Sequence, residues 1–79
     1  MKIGKMLKNA RLKKGLTQTE LAKKMGFKTP QFIFLMESDH SKVPLAKIKR
    51  LCKVLDIPKR LVLAPMIEDF LDKLTRATK

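Results

Sequence analysis

One cysteine and one histidine are the chain's whole stock of the residues that best bind zinc or form disulfides. Cys52 has no partner for an internal bridge, and with His40 alone beside it no set of zinc ligands assembles, so folds held by metal or disulfide drop out. Acidic residues are scarce as well: seven Asp and Glu stand against nineteen Lys and Arg, a formal net charge of +12. That imbalance points to a polyanionic partner, with nucleic acid ahead of an acidic membrane surface. Long apolar runs are missing too. Nothing approaches the roughly 20 apolar residues of a membrane span, and the first residues lack the continuous apolar segment of a secretory signal, so a cytoplasmic location is expected. There are no repeats, no Gly/Ser linker and no low-complexity tract. The 79 residues suit one domain with a single small core, without room for a deep enclosed active site as well.

What is present is helical punctuation. Ile3, Leu7 and Ala10 recur at helical spacing, and Gly15 closes a first helix of about Ile3 to Lys14. In "LTQTELAKKMG", Thr17 is an N-cap and Glu20 completes a capping box, while Leu21, Ala22 and Met25 face inward until Gly26 ends the helix. In "FKTPQF", Thr29 is expected to cap a third helix with Pro30 at its first position. Two short helices joined by a glycine turn make a helix-turn-helix. Pro44 opens "PLAKIKRLCKVL", with Leu45, Ile48, Leu51, Cys52 and Leu55 on one face. Because proline disfavours helical geometry in the residue before it, Pro65 predicts two pieces, Pro58 to Leu63 and Met66 to about Arg76. The expected architecture is all-α, a small bundle of five or six short helices.

The run "QFIFLM" carries five consecutive apolar side chains, which a buried strand would also accommodate. On a helix started at Pro30, with about 100° per residue, Phe32, Ile33, Met36 and Glu37 share one side and Gln31, Phe34 and Leu35 the other. The first set is expected in the core. Phe34 and Leu35 are expected to point outward.

At this point "RLKKGLTQTELAKKMGFKTPQFIFLMES", with "VPLAKIKRLCKVLDI" after it, resembles the Xre/Cro-type helix-turn-helix of phage repressors and bacterial regulators over about residues 3 to 57. The resemblance implies a lambda repressor-like bundle that sets the third helix, about residues 30–37, in the DNA major groove, usually as a two-fold dimer on an inverted-repeat operator. It places Gln31 at the main base-reading position, where an amide can pair with the N6/N7 edge of adenine. Lys28 and Thr29 fall on the turn just before it. Gln18 and Thr17, at the amino end of helix two, and Lys42, in the loop after helix three, match phosphate-contacting positions, and the partial positive charge of a helix start supports Gln18 independently. Arg11 and Glu37 match a structural ion pair tying helix one to helix three.

The departures from that family are also informative. Phe34 and Leu35 replace the small polar residues usual there, so Leu35 is left to pack on a thymine methyl and Phe34 on a sugar, a methyl group or another protein. "ESDHS" brings the negative charge of Asp39 close to the expected path of DNA. Asp39 with His40, or Glu68 with Asp69 and Asp72, could be called acid/base groups, but no nucleophile, oxyanion site or phosphate loop accompanies them; no catalytic residue, cofactor or metal is expected. Cys52 reads as a small core residue. Residues 1–64 form the expected DNA-binding unit, and 65–79 a carboxyl-terminal helix for packing or dimerisation through Met66, Ile67, Phe70, Leu71 and Leu74. The alternative to a transcriptional regulator is a protein-binding module of the same fold, such as an antitoxin with a toxin partner.

Overall fold

Glycines and caps divide the chain into its helices. The computed structural model describes residues 3–77 and places among them α1 (Gly4–Lys13), α2 (Gln18–Met25), α3 (Gln31–Glu37), a 3-10 turn (Leu45–Lys47), α4 (Ile48–Leu55) and α5 (Arg60–Ala77). No strand occurs among those residues, and the fold is all-α. The capping box at α2 forms in both directions: the Thr17 hydroxyl accepts from the Glu20 amide, and the Glu20 carboxylate accepts from the Thr17 amide, both at 3.0 Å. Those bonds hold the Glu20 carboxyl below its ordinary titration range. Gly26 then stops α2 in the left-handed region at φ 77°, which costs a glycine little.

Thr29 makes no cap. Pro30 takes the N-cap position with near-helical dihedrals, no side chain caps α3, and the Pro30 carbonyl accepts from the Phe34 amide at 3.1 Å. Because the segment after Pro44 opens as a 3-10 turn, the α-helical phase starts only at Ile48, and Leu45 falls off the inward face to stand 74% exposed. Asp56 closes α4 in the left-handed region.

Each helix contributes an apolar stripe to one core. Leu21, Met25, Ile33, Leu51 and Val62 lie fully inside it, with Ile3, Leu7, Met36, Val43, Ile48, Cys52 and Leu55 around them. Burying each large aliphatic side chain contributes on the order of 1.5 to 3 kcal/mol. Cys52 is one of these packing residues, and burial raises its thiol pKa. Phe32 is half-buried at the edge of the core rather than inside it.

The joint between α1 and α3 depends on a glycine and a distant carboxylate. No side chain in its own first turn caps α1; instead Asp39 Oδ1, from the turn after α3, accepts from the Gly4 amide at 2.9 Å. A Cβ at Gly4 would overlap the Glu37 and Met36 carbonyl groups. The positive end of α1 thus abuts the negative end of α3, a favourable arrangement of helix dipoles.

Pro65 does not divide the last helix, so the expected break there is wrong, and the boundary placed after residue 64 falls inside α5. Proline removes the bond its own amide would make to the Leu61 carbonyl and crowds that carbonyl. Tertiary packing overrides this local preference: Val62 is fully buried ahead of Pro65, and Leu63 and Met66 pack on the core on either side of it.

Two substitutions test these joints by chemical denaturation. Gly4→Ala should destabilise by about 1 to 3 kcal/mol through overpacking; an unchanged midpoint would show that α1 does not meet α3 so closely. Pro65→Ala should stabilise, by about 1 to 3 kcal/mol given the helix-interior cost of proline, whereas a real break at that point would leave stability unchanged or lower.

Candidate nucleic-acid interface

The turn between α2 and α3 is pinned from outside the motif. Phe27 donates its amide to the Ala22 carbonyl at 2.9 Å, and its ring lies 5.1 Å from that of Phe32, tilted by 50°. The Lys47 ammonium, from the 3-10 turn, sits 5.7 Å over the Phe27 ring and donates to the Met25 carbonyl at 3.4 Å. A cation at the carboxyl end of α2 and over an aromatic face is favoured on both counts.

Beneath the motif lies a charged cluster. Arg11 Nε donates to Glu37 Oε2 at 2.6 Å and Nη2 to Oε1 at 3.1 Å, a two-pronged pair, while Nη1 donates to the Leu16 carbonyl at 2.8 Å. Arg11 is only 6% exposed. Gln18 completes the set by donating Nε2 to Glu37 Oε1 at 3.1 Å. One ion pair therefore ties the end of α1 to the last residue of α3, its carboxylate also holding the first residue of α2 and its guanidinium the loop into α2. No buried side-chain nitrogen or oxygen among the described residues lacks a partner, which is the condition for a buried pair to be tolerated.

Above this frame α3 turns one face to solvent. Gln31 is exposed, Phe34 is 54% exposed, and Lys28, Thr29 and Thr17 are exposed beside them. Leu35 is half-buried, not fully outward as the helical wheel predicts. Its carbonyl accepts from the His40 and Ser41 amides at 2.9 and 3.2 Å, which folds the following loop back against it. The Ser38 hydroxyl donates to the Phe34 carbonyl at 2.8 Å.

Gln18 spends one of its amide donors on Glu37, so it is partly committed to the frame, and its carbonyl oxygen and second N–H are what it has for a phosphate. The Lys42 ammonium lies 3.7 Å from Asp69 on α5, an exposed pairing worth little by itself. The helix that would read bases has no Lys or Arg. Cations stand in the segments around it instead: Lys23 and Lys24 in the last turn of α2, Lys28 in the turn before it, and Lys47 and Arg50 crowding that turn at Gly26.

Two contacts escaped the sequence. Asp39, expected only as an unhelpful charge, caps α1 from a turn where its φ is +60°, a conformation Asp tolerates better than most residues; no neighbouring residue signals this contact between segments 35 positions apart. Lys47 was one lysine among many. Asp72 pairs with Arg76 at 3.1 Å, and no group of three or more His, Cys, Asp or Glu among the described residues could hold a metal.

The cluster predicts a thermodynamic asymmetry. Glu37→Leu leaves a buried guanidinium without its carboxylate and should cost about 3 to 5 kcal/mol, whereas Arg11→Met combined with Glu37→Leu should recover much of that loss. Thermal unfolding of the three variants measures it; a double variant no better than Glu37→Leu alone would show that the charges are not mutually dependent.

Comparison with known proteins agrees with this geometry. No curated protein matches the sequence, and no helix among the described residues is long and apolar enough to cross a membrane. A family profile described as helix-turn-helix does match residues 7–62, a span running from Leu7 in α1 to Val62 in α5. The capped α2, the glycine turn, the exposed face of α3 and the core that carries them belong to that matched span, and the chain is a member of the Xre/Cro-type helix-turn-helix family.

Proposed function

We propose that this DNA-binding helix-turn-helix protein is a sequence-specific transcriptional regulator that reads duplex DNA with the exposed face of α3 and binds as a two-fold dimer. The observation carrying this reading is the division of α3 itself. Ile33 and Met36 are locked into the core while Gln31 and Phe34 stand in solvent, on a helix whose last residue is fixed by Arg11.

In this reading Gln31 is the principal base contact, through both halves of its amide. Phe34 and the open edge of Leu35 supply apolar contact to thymine methyls or sugars. Lys28 and Thr29 reach bases or backbone, and Thr17, Gln18 and Lys42 hold phosphates. Affinity comes mainly from the flanking cations and is steeply salt-dependent, while preference comes from an uncharged reading face.

Dimerisation is assigned to α5. Ile67, Phe70, Leu71 and Leu74 are each at least half exposed, Phe70 at 64%, and Met66 is half-buried beside them. Four large apolar side chains in succession on one helix need a cover. Glu68, Asp69 and Asp72 in the same segment suit a surface turned away from phosphates. Paired α5 helices would present two copies of α3 to successive major grooves roughly 34 Å apart. The same exposed stripe favours a second reading, in which it docks a different protein, as in an antitoxin.

On a duplex selected from a random pool, Gln31→Ala should weaken binding by about 1 to 3 kcal/mol and relax preference at one base pair. Lys42→Ala should weaken all sequences alike and make the salt slope shallower by about one. Unchanged affinity and preference for Gln31→Ala would remove it from the reading face. Sedimentation of the intact chain and of a Phe70→Lys, Leu74→Lys variant tests the dimer: a monomeric intact chain, or selected sites without an inverted repeat, would contradict it.

A further inference from the structure

The exposed face of α3 has few chemical groups with which to address a base. The helix carries no Lys or Arg, and its one charged side chain, Glu37, is bonded to Arg11 and Gln18 in the frame. Guanine is read in the major groove chiefly by Arg or Lys across O6 and N7, so that contact is closed to this helix. What faces solvent is the Gln31 amide and, three residues on, the Phe34 ring at 54% exposure. Leu35 lies half-buried beside it. A phenyl ring makes no conventional hydrogen bond, and the apolar group on the base edges of the major groove is the methyl on C5 of thymine.

We infer that Phe34 reads the C5 methyl group of a pyrimidine, so that at one position of the site thymine and 5-methylcytosine bind alike, while uracil and unmodified cytosine are disfavoured. This deepens, and rests on, the assignment of α3 to the major groove. Charge selects DNA over an apolar protein surface as the occupant. Lys23, Lys24 and Lys28 stand in the segments leading into α3, in a chain of net charge +12, so the surface suits an anion that displays methyl groups. Spacing divides the work between the two side chains. Gln31 and Phe34 lie about 4.5 Å apart along the helix axis, at 1.5 Å per residue, close to the step of about 3.4 Å between successive nucleotides of one strand. The amide and the ring therefore address neighbouring pairs, an adenine for Gln31 and a methylated pyrimidine for Phe34.

The methyl alone decides, because the ring has nothing with which to tell the O4 acceptor of thymine from the N4 donor of cytosine. A cytosine at that position is disfavoured until it is methylated on C5. Occupancy of such a site then follows the methylation state of the DNA.

The experiment measures affinity by fluorescence anisotropy at fixed salt, with the full chain and the duplex it selects from a random pool. Each thymine is replaced in turn by deoxyuridine, which removes the methyl and nothing else. One position in each half-site should lose about fourfold, the contribution of one buried methyl. With a C·G pair placed at that position, 5-methylcytosine should bind about fourfold more tightly than cytosine. In Phe34→Ala both ratios should fall to about one, while 7-deazaadenine at the neighbouring pair, which lacks the N7 acceptor for Gln31, should still weaken binding.

A selected duplex with no thymine sensitive to deoxyuridine, or methyl ratios that survive Phe34→Ala, would overturn the inference. So would unchanged affinity and preference in Phe34→Ala, which would return the ring to a protein partner. A duplex that depends on Gln31 but ignores the methyl groups would strike only the role of Phe34. A chain that selects no duplex over random DNA would overturn the reading of α3 and this inference with it.

Discussion

The buried carboxylate of Glu37 is the constraint on which the molecule depends. It accepts two bonds from Arg11 and one from Gln18, and the same guanidinium reaches the Leu16 carbonyl. Four pieces of backbone thereby acquire fixed relative positions around one charge. A helix of seven residues such as α3 is far too short to be stable alone; it persists because Ile33 and Met36 are packed and because its last side chain is held. Apolar packing tolerates small rotations, and a two-pronged arginine–carboxylate pair does not. The pair therefore sets the angle at which Gln31 and Phe34 are presented.

In the proposed reading, this division of labour explains how so basic a chain can have an uncharged reading face. Every ionic demand of the frame is met inside it, by Arg11 with Glu37, or at its joints, by Asp39 on the Gly4 amide and Lys47 on the Met25 carbonyl. Most of the remaining cations are exposed, and in the proposed reading they serve phosphates of any sequence. In that reading discrimination is left to a few neutral side chains on a helix held by the core and by Arg11. α5 stands apart: beyond Met66 it carries apolar residues that the core does not cover, and that surface invites a partner.

Features written in local chemistry were legible in the sequence. The capping box at Thr17 and Glu20, the left-handed Gly26 and the inward stripe of α4 from Ile48 to Leu55 each follow from neighbours a few residues apart. The all-α class and the family followed from the same signals. Contacts between distant segments were not legible. Nothing near Gly4 announces that Asp39 will cap it, and nothing near Pro65 shows that Val62, Leu63 and Met66 will be packed firmly enough to carry a helix through a proline. Leu45 and Leu35 failed for a subtler reason. A wheel assumes one uninterrupted α-helical phase and open solvent beyond it; a 3-10 turn shifts the first residue, and the returning loop covers the second. Gln18 lies between the two cases, since its position on α2 was readable but its bond to Glu37 depends on a residue nineteen positions away.

The central claim is that α3 meets DNA while the buried cluster holds it still. Amide NMR during titration with a duplex selected from a random pool tests it most directly. The account predicts that the largest changes run from Lys28 to Leu35, with smaller ones at Thr17 and Gln18, and that the Arg11 side-chain signals keep the shifts of their bond to Glu37. Changes concentrated on Ile67 to Leu74 with α3 unmoved, or loss of the Arg11 signals on binding, would contradict it.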